Sequence, residues 1–126
     1  MPLEVSWYIQ DRVLLVVGYG TVVFEDLVRA NEMMAEALKS NGVHLIIDRR
    51  GITQNPNNII KLRKALSSLN HPRFGWLVFV DQPNQMRDFL ASILTQLART
   101  QFRRFDTLDE AMIFLMKQDE TLNEPV

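Results

Sequence analysis

VHLIIDRRGITQNPNNIIKL, residues 43–62, is the stretch that decides the fold. An apolar run from Val43 to Ile47 ends in Asp48, passes through a polar stretch and enters a segment whose apolar residues recur at helical spacing. A short strand apolar on both faces, with an acid at its end and a helix beyond, is the repeating unit of a parallel α/β sheet. The C-terminal ends of such strands are where α/β proteins place their working groups. The same stretch holds no glycine-rich phosphate cradle, no cysteine and no histidine beside a carboxylate.

Working outward, residues 3–9 alternate: Leu3, Val5, Trp7 and Ile9 against Glu4, Ser6, Tyr8 and Gln10, the pattern of a strand with one wet face. Gln10-Asp11-Arg12 makes a tight polar connection to a second strand, Val13 to Val17, apolar throughout. Gly18-Tyr19-Gly20-Thr21 reads as a turn into a helix from about Phe24 to Ser40, with Leu27, Ala30, Met34, Ala37 and Leu38 on one stripe. Asn41-Gly42 suits a left-handed helix end. A further helix is expected over 57–69, with Ile59, Leu62, Ala65, Leu66 and Leu69 inward and Lys61, Arg63 and Lys64 outward, stopped by Asn70-His71-Pro72. Gly75 to Val80 is a buried strand, and a third helix after Asp81-Gln82-Pro83-Asn84 carries Met86, Phe89, Leu90, Ile93 and Leu97 on one face. Phe102 to Phe105 is a last short strand, and Thr107-Leu108-Asp109-Glu110 is a capping box that opens a final helix to about Lys117. The expectation is therefore an α/β fold of order β-β-α-β-α-β-α-β-α: a mixed sheet of about five strands, parallel where helices intervene and antiparallel at the opening hairpin. One domain spans residues 1–118, and the acidic tail 119–126 is expected to fray.

Composition narrows the function. Among 126 residues there is no cysteine, which excludes a disulfide framework, a thiol nucleophile and a cysteine-ligated metal, and fits a cytoplasmic protein. No apolar run approaches a membrane span, and the opening residues lack the basic and apolar regions of a signal peptide. Net charge is −1, yet residues 49–104 carry ten basic and two acidic side chains, a net of +8. Spread over several elements, these residues form ordinary solvated faces; gathered, they would make an anion-binding face. Nucleic acid is not indicated, because the basic residues are not interleaved with stacking aromatics and the isoelectric point is about 6.1.

Each chemical motif has a plainer alternative. Gly18-Tyr19-Gly20 lacks the third glycine of a dinucleotide fingerprint, whose place is taken by Val23. His44, inside a buried strand, is expected to pack or hydrogen-bond there, and His71 belongs to a turn; neither has a second ligand set beside it, so no metal or cofactor is expected. Asp48 and Asp81 both end strands and would face each other if they served as paired catalytic carboxylates, whereas strand-end acids commonly bind loop N–H groups. Trp7, Tyr8, Trp76, Phe24, Met33, Met34 and Met86 are core residues or the lining of an apolar ligand cavity. The polar residues 49–58, at a strand end and a helix start, suit contact with an anion or with another protein.

The stretch also resembles the STAS family, the domain of anti-sigma factor antagonists and sulfate transporters, and in particular its SpoIIAA-like bacterial branch. Leu45, Ile46, Ile47 and Asp48 are similar to that family's strand, and Gly51, Ile52 and Thr53 to the residues just after it. The segment Phe102 to Ala111, with Phe114-Leu115, is similar to the branch's last strand and helix. Where the antagonists carry Asp-Ser-Ser-Gly, this chain has Pro56, Asn57, Asn58 and Ile59, so the serine that a partner kinase phosphorylates is missing. The resemblance implies a non-enzymatic regulatory module, docking another protein through loop 49–58 and the helix beyond it. Asp48, Thr53, Asn55, Asn57, Asn58 and Lys61 form the contact surface, without the phosphoserine switch. A carrier or sensor of a small apolar or lipid-like ligand is the alternative. The alternating first strand, at a sheet edge, leaves a homodimer open.

Overall fold

The computed structural model describes residues 3–21, 24–54, 67–81 and 101–123. Five strands form one sheet in the order β1 (Leu3–Ile9), β2 (Val13–Thr21), β3 (Val43–Gln54), β4 (Phe74–Val80) and β5 (Gln101–Phe105). β1 runs antiparallel to β2, and every later pair is parallel. The mixed five-stranded sheet with an opening hairpin is thus the architecture expected from the sequence. At the hairpin Asp11 takes a left-handed φ of 61° and the Arg12 N–H donates to the Ile9 carbonyl at 3.0 Å. Aspartate tolerates that conformation better than most residues.

Helix α1 (Phe24–Leu38) lies on one face of the sheet. Its Ala30, Met34, Ala37 and Leu38 are buried and Leu27 half-buried, as the stripe predicted, against Leu14, Val16, Leu45, Leu77 and Phe79. Leu69, in a short 3-10 turn at Ser67–Asn70, joins the same cluster. Successive parallel strands in sequential order send right-handed crossovers to one side. Helix α2 (Leu108–Gln118), which follows β5, packs on the opposite face, with Ala111, Met112 and Leu115 against Val13, Ile46, Val78 and Val80. The Thr107 hydroxyl accepts the Glu110 N–H at 3.2 Å, the N-cap read from the sequence, and donates to the Glu110 carboxylate at 3.1 Å. Among the described residues no helix is long and apolar enough to cross a membrane.

Four expectations change. First, β2 and β3 run further than their apolar cores: Tyr19 pairs with Gly51, Gly20 with Ile52 and Thr21 with Gln54, so Gly18-Tyr19-Gly20 is strand and not a turn. A Cβ on Gly51 would stand 3.0 Å from the Gly18 carbonyl, so the glycines let two irregular strand ends approach. Second, the segment taken as a loop from residue 49 is strand as far as Gln54. Third, α1 does not end in a left-handed cap at Asn41-Gly42, since Asp11 and Gly20 are the described residues with positive φ. Arg73 closes it from outside, its guanidinium donating to the carbonyls of Lys39 at 2.7 Å and Leu38 at 3.4 Å. Fourth, the tail does not fray from residue 119: Glu120–Asn123 is a 3-10 turn whose Leu122 is buried in the α2-side core. The helix expected at 57–69 reaches the described residues in the turn at Ser67–Asn70, and the third helix lies outside them.

Candidate functional site

The C-terminal ends of β3, β4 and β5 form the edge that the sequence singled out. Asp48 is paired in register with Val80, so the two share the α2 face of the sheet, and Asp81, one residue further, turns to the α1 face. Asp48, inside β3 at its last pair with β4, and Asp81, just past β4, are therefore not a facing pair, and the geometry of a catalytic dyad is not formed. A slip of one residue along a pleated strand decides this.

Each carboxylate is held by arginine. Asp48 accepts the Arg50 backbone N–H at 3.1 Å and both arms of the Arg50 guanidinium at 3.0 and 2.7 Å. That pairing raises the guanidinium's pKa further. On the other face, Asp81, fully buried at its side chain, accepts from Arg49 at 3.2 Å and from Arg104 at 2.8 Å. Burial raises the Asp81 carboxyl above its ordinary value, while Arg49 and Arg104 pull it down. Arg104 also bonds the Asp81 carbonyl and Asp106. Three arginines thus meet three aspartates, so the described part of this edge carries no net charge and makes no anion site. The remaining described basic residues of 49–104 stand apart: Arg73 caps α1, and Arg103 stacks over the Trp76 ring at 5.2 Å. Among the described residues the charge asymmetry does not condense into one basic patch.

Of the expected contact residues, Asp48 is buried and committed to Arg50, and Thr53 lies on the backbone of β3. Asn55, Asn57, Asn58 and Lys61 lie outside the described residues.

A second polar cluster sits at the opposite end of the sheet, where sequence reading missed Asp119. The register between β3 and β4 slips between Val43/Phe74 and Leu45/Leu77, leaving an extra residue on β4 opposite His44. A bulge of this kind removes one strand N–H from the ladder. The Trp76 N–H donates instead to His44 Nδ1 at 2.9 Å. With Nδ1 accepting, the proton resides on Nε2, which donates to Asp119 at 2.8 Å. Asp119 also accepts from Arg12 at 2.9 Å and from the Thr121 hydroxyl. Burial would raise the Asp119 carboxyl, but the hydrogen bonds from Thr121 and His44 outweigh it and hold the group below its ordinary value. Both His44 nitrogens are engaged, so the ring offers no lone pair to a substrate: this is a structural clasp, as the strand position of His44 suggested. His71 Nδ1 accepts the Arg73 N–H at 3.0 Å within its turn. No group of three or more potential metal ligands occurs among the described residues.

The apolar candidates divide. Met34 is in the core, and Trp76 meets Phe114 edge-on at 4.9 Å. Trp7 and Met33 instead line a groove of about 630 Å³ between β1 and α1. The side chain of Phe24 and all of Met86 lie outside the described residues.

No protein-family model matches the chain, and no curated protein matches it in sequence. Solved structures do. An uncharacterized protein of the DUF3478 family with a SpoIIAA-like fold, from Shewanella loihica PV-4, superposes with a TM-score of 0.64 at 14% identity, over 90% of this chain and 91% of that one. The anti-sigma factor antagonist SpoIIAA in its unphosphorylated form superposes with a TM-score of 0.57 at 11% identity, over 91% of this chain and 96% of that one.

Proposed function

From a chain with a SpoIIAA-like fold, whose described carboxylates and histidines at both ends of the sheet are already committed to structural partners, we propose a non-enzymatic regulatory module that acts by docking another protein. The observation that carries this reading is the closed C-terminal edge. Asp48 and Asp81 are each neutralised by arginine and turned to opposite faces, which leaves a surface suited to contact and not to proton transfer. The docking surface is residues 49–58 with the segment beyond them, where the exposed Arg50 begins it and Asn55, Asn57, Asn58 and Lys61 come next in sequence. Asn57 and Asn58 have no hydroxyl to phosphorylate, so partner binding is not switched off there by phosphate.

Partner capture from the source cell with wild-type protein and with Asn57→Asp/Asn58→Asp tests it. The added negative charge is expected to remove a specific partner from the capture list. Identical lists, or no partner above background, would overturn the reading. A carrier of an apolar or lipid-like ligand is less well supported, because Met34 and Trp76 are spent on the core and the groove at Trp7 is rimmed by carboxylates. A retained lipid in native mass spectra of freshly purified protein would reverse that order.

A further inference from the structure

The two edges of the sheet are unlike each other. β5 carries Arg103 and Arg104 among five residues, and charged side chains on an edge strand discourage further pairing. β1 carries Glu4 as its one charged residue among seven, and among the described residues no strand other than β2 pairs with it. Every second residue of such an edge presents its N–H and C=O away from the sheet, available to an added strand.

Beside this edge runs the groove between β1 and α1. Its floor is apolar, made by Trp7, Met33 and Ala37, and Trp7 is half-buried on the α1 side of the strand. The rim is acidic: Asp11 at the hairpin, Glu32 and Glu36 on α1. Arg29 also lines the groove, with its guanidinium reaching the Leu3 carbonyl at 3.4 Å, and Lys39 bridges Glu36 at 3.0 Å. Lys39 is spent on Glu36, so the surplus charge here is that of Asp11 and Glu32 against Arg29, whose guanidinium already holds the Leu3 carbonyl.

Strand edge and groove form one surface. A strand added to β1 would run about 4.8 Å outside it, and its side chains on the α1 side would project beside Trp7 and towards Glu32 and Glu36. Long cationic side chains fit there, with their methylenes on Trp7 and Met33 and their charged heads among the carboxylates. A second copy of this chain fits poorly. Two-fold pairing of β1 with β1 would bring two α1 flanks, each bearing Glu32 and Glu36, to the same side of the joint, with like charges opposed.

We propose that the β1 edge and the groove beside it are a docking site for an extended peptide segment of a partner protein, bearing lysine or arginine at alternate positions, which joins the sheet as a sixth strand. This site is independent of residues 49–58, so either can fail without the other.

The test is selection of a displayed library of random twelve-residue peptides on the full chain, followed by synthesis of the best binder and measurement of its Kd. The expected binder alternates apolar or aromatic residues with lysine or arginine. Its Kd is expected to rise about tenfold with Glu32→Lys/Glu36→Lys and with Trp7→Ala, to weaken as salt is raised, and to stay unchanged with Asn57→Asp/Asn58→Asp. N-methylation of alternate peptide amides should abolish binding in one register and spare it in the other, as strand addition requires. Selection of no peptide, or binders indifferent to Glu32→Lys/Glu36→Lys, overturns the proposal. So does sedimentation showing a dimer that buries β1, because the edge would then belong to a second copy.

Discussion

Gly75→Ala reads out the bulge that holds His44. A Cβ built on Gly75 falls 2.3 Å from both Cε1 and Nδ1 of His44, and 3.3 Å from Nε2. Non-bonded heavy atoms sit about 3.5–4.0 Å apart, so the ring must retreat by about 1 Å or more. The Trp76 N–H bond to Nδ1 is only 2.9 Å long, and that retreat breaks it. A buried N–H left without a partner costs about 1–3 kcal/mol. Loss of the His44 bond to Asp119 adds about 1 kcal/mol, since Arg12 and Thr121 still hold the carboxylate. The expected total is about 2–4 kcal/mol, a large part of the roughly 5–15 kcal/mol of a domain this size. Backbone strain does not contribute, because Gly75 has no positive φ. His44→Ala should cost a similar amount, since it also strands the Trp76 N–H. In the His44→Ala background Gly75→Ala should cost no more than about 0.5 kcal/mol, because the clashing ring is gone; the cycle then shows a coupling of about 2 kcal/mol. Urea unfolding of the four proteins at constant m measures this, with hydrogen exchange at the Trp76 amide as an independent readout. A double variant equal to the sum of the singles, or Gly75→Ala within about 0.5 kcal/mol of wild type, would refute the bulge-and-ring account.

Asp119→Asn should destabilise by about 1–3 kcal/mol at pH 7. Because the folded carboxyl is held below its unfolded value near 3.9, its contribution is complete above that pH and is lost as pH falls through the folded value. The gap between the urea midpoints of wild type and variant should therefore narrow steadily as pH is lowered below about 3.9; a constant gap would contradict the assignment. Asp81→Ala should cost about 3–5 kcal/mol, because it leaves Arg49 buried without its carboxylate. The apolar pair Arg49→Met/Asp81→Leu should be distinctly less damaging in the same denaturation assay, and equal loss would show that burial of charge is not the issue. Thr107→Ala should lower stability by about 1 kcal/mol through the lost cap, seen as a drop of a few degrees in Tm, and Thr107→Ser should restore most of it.

Features set by a short period were legible in the sequence. The alternation of Leu3, Val5 and Trp7, the α1 stripe of Ala30, Met34, Ala37 and Leu38, and the Thr107 N-cap are local patterns, and each appears where it was expected. Strand ends were not legible, because the partner decides them: Gly51 has no apolar signal, and it stays in β3 because β2 continues beside it through Tyr19. The end of α1 was misread for a related reason. Asn41-Gly42 has the composition of a local cap, but the carbonyls are met by Arg73, 35 residues from Leu38 in sequence. Asp119 looked like part of an acidic tail, and only the fold brings it to His44, 75 residues away. At the site itself the residue types were legible, while their facing was not: whether Asp48 and Asp81 meet depends on a one-residue offset between strand ends.

That offset bears on what this sheet edge does with its polar groups. The C-terminal edge of a parallel sheet gathers polar side chains from several strands whatever the function, because each strand must hand its chain to a polar connection there. To act as an acid-base pair, two carboxylates on adjacent strands must share a face, and one must keep its proton at neutral pH. Here Asp48 lies across the sheet from Asp81 and grips an exposed arginine, while Asp81 is clamped between two others. Arg49 and Arg104, both on Asp81, tie β3 and β5 to the end of β4, whereas the Asp48–Arg50 pair stays within β3. On the docking reading proposed above, the β1 edge is offered from a sheet held in this way, and preformed surfaces lose less entropy on binding than flexible ones.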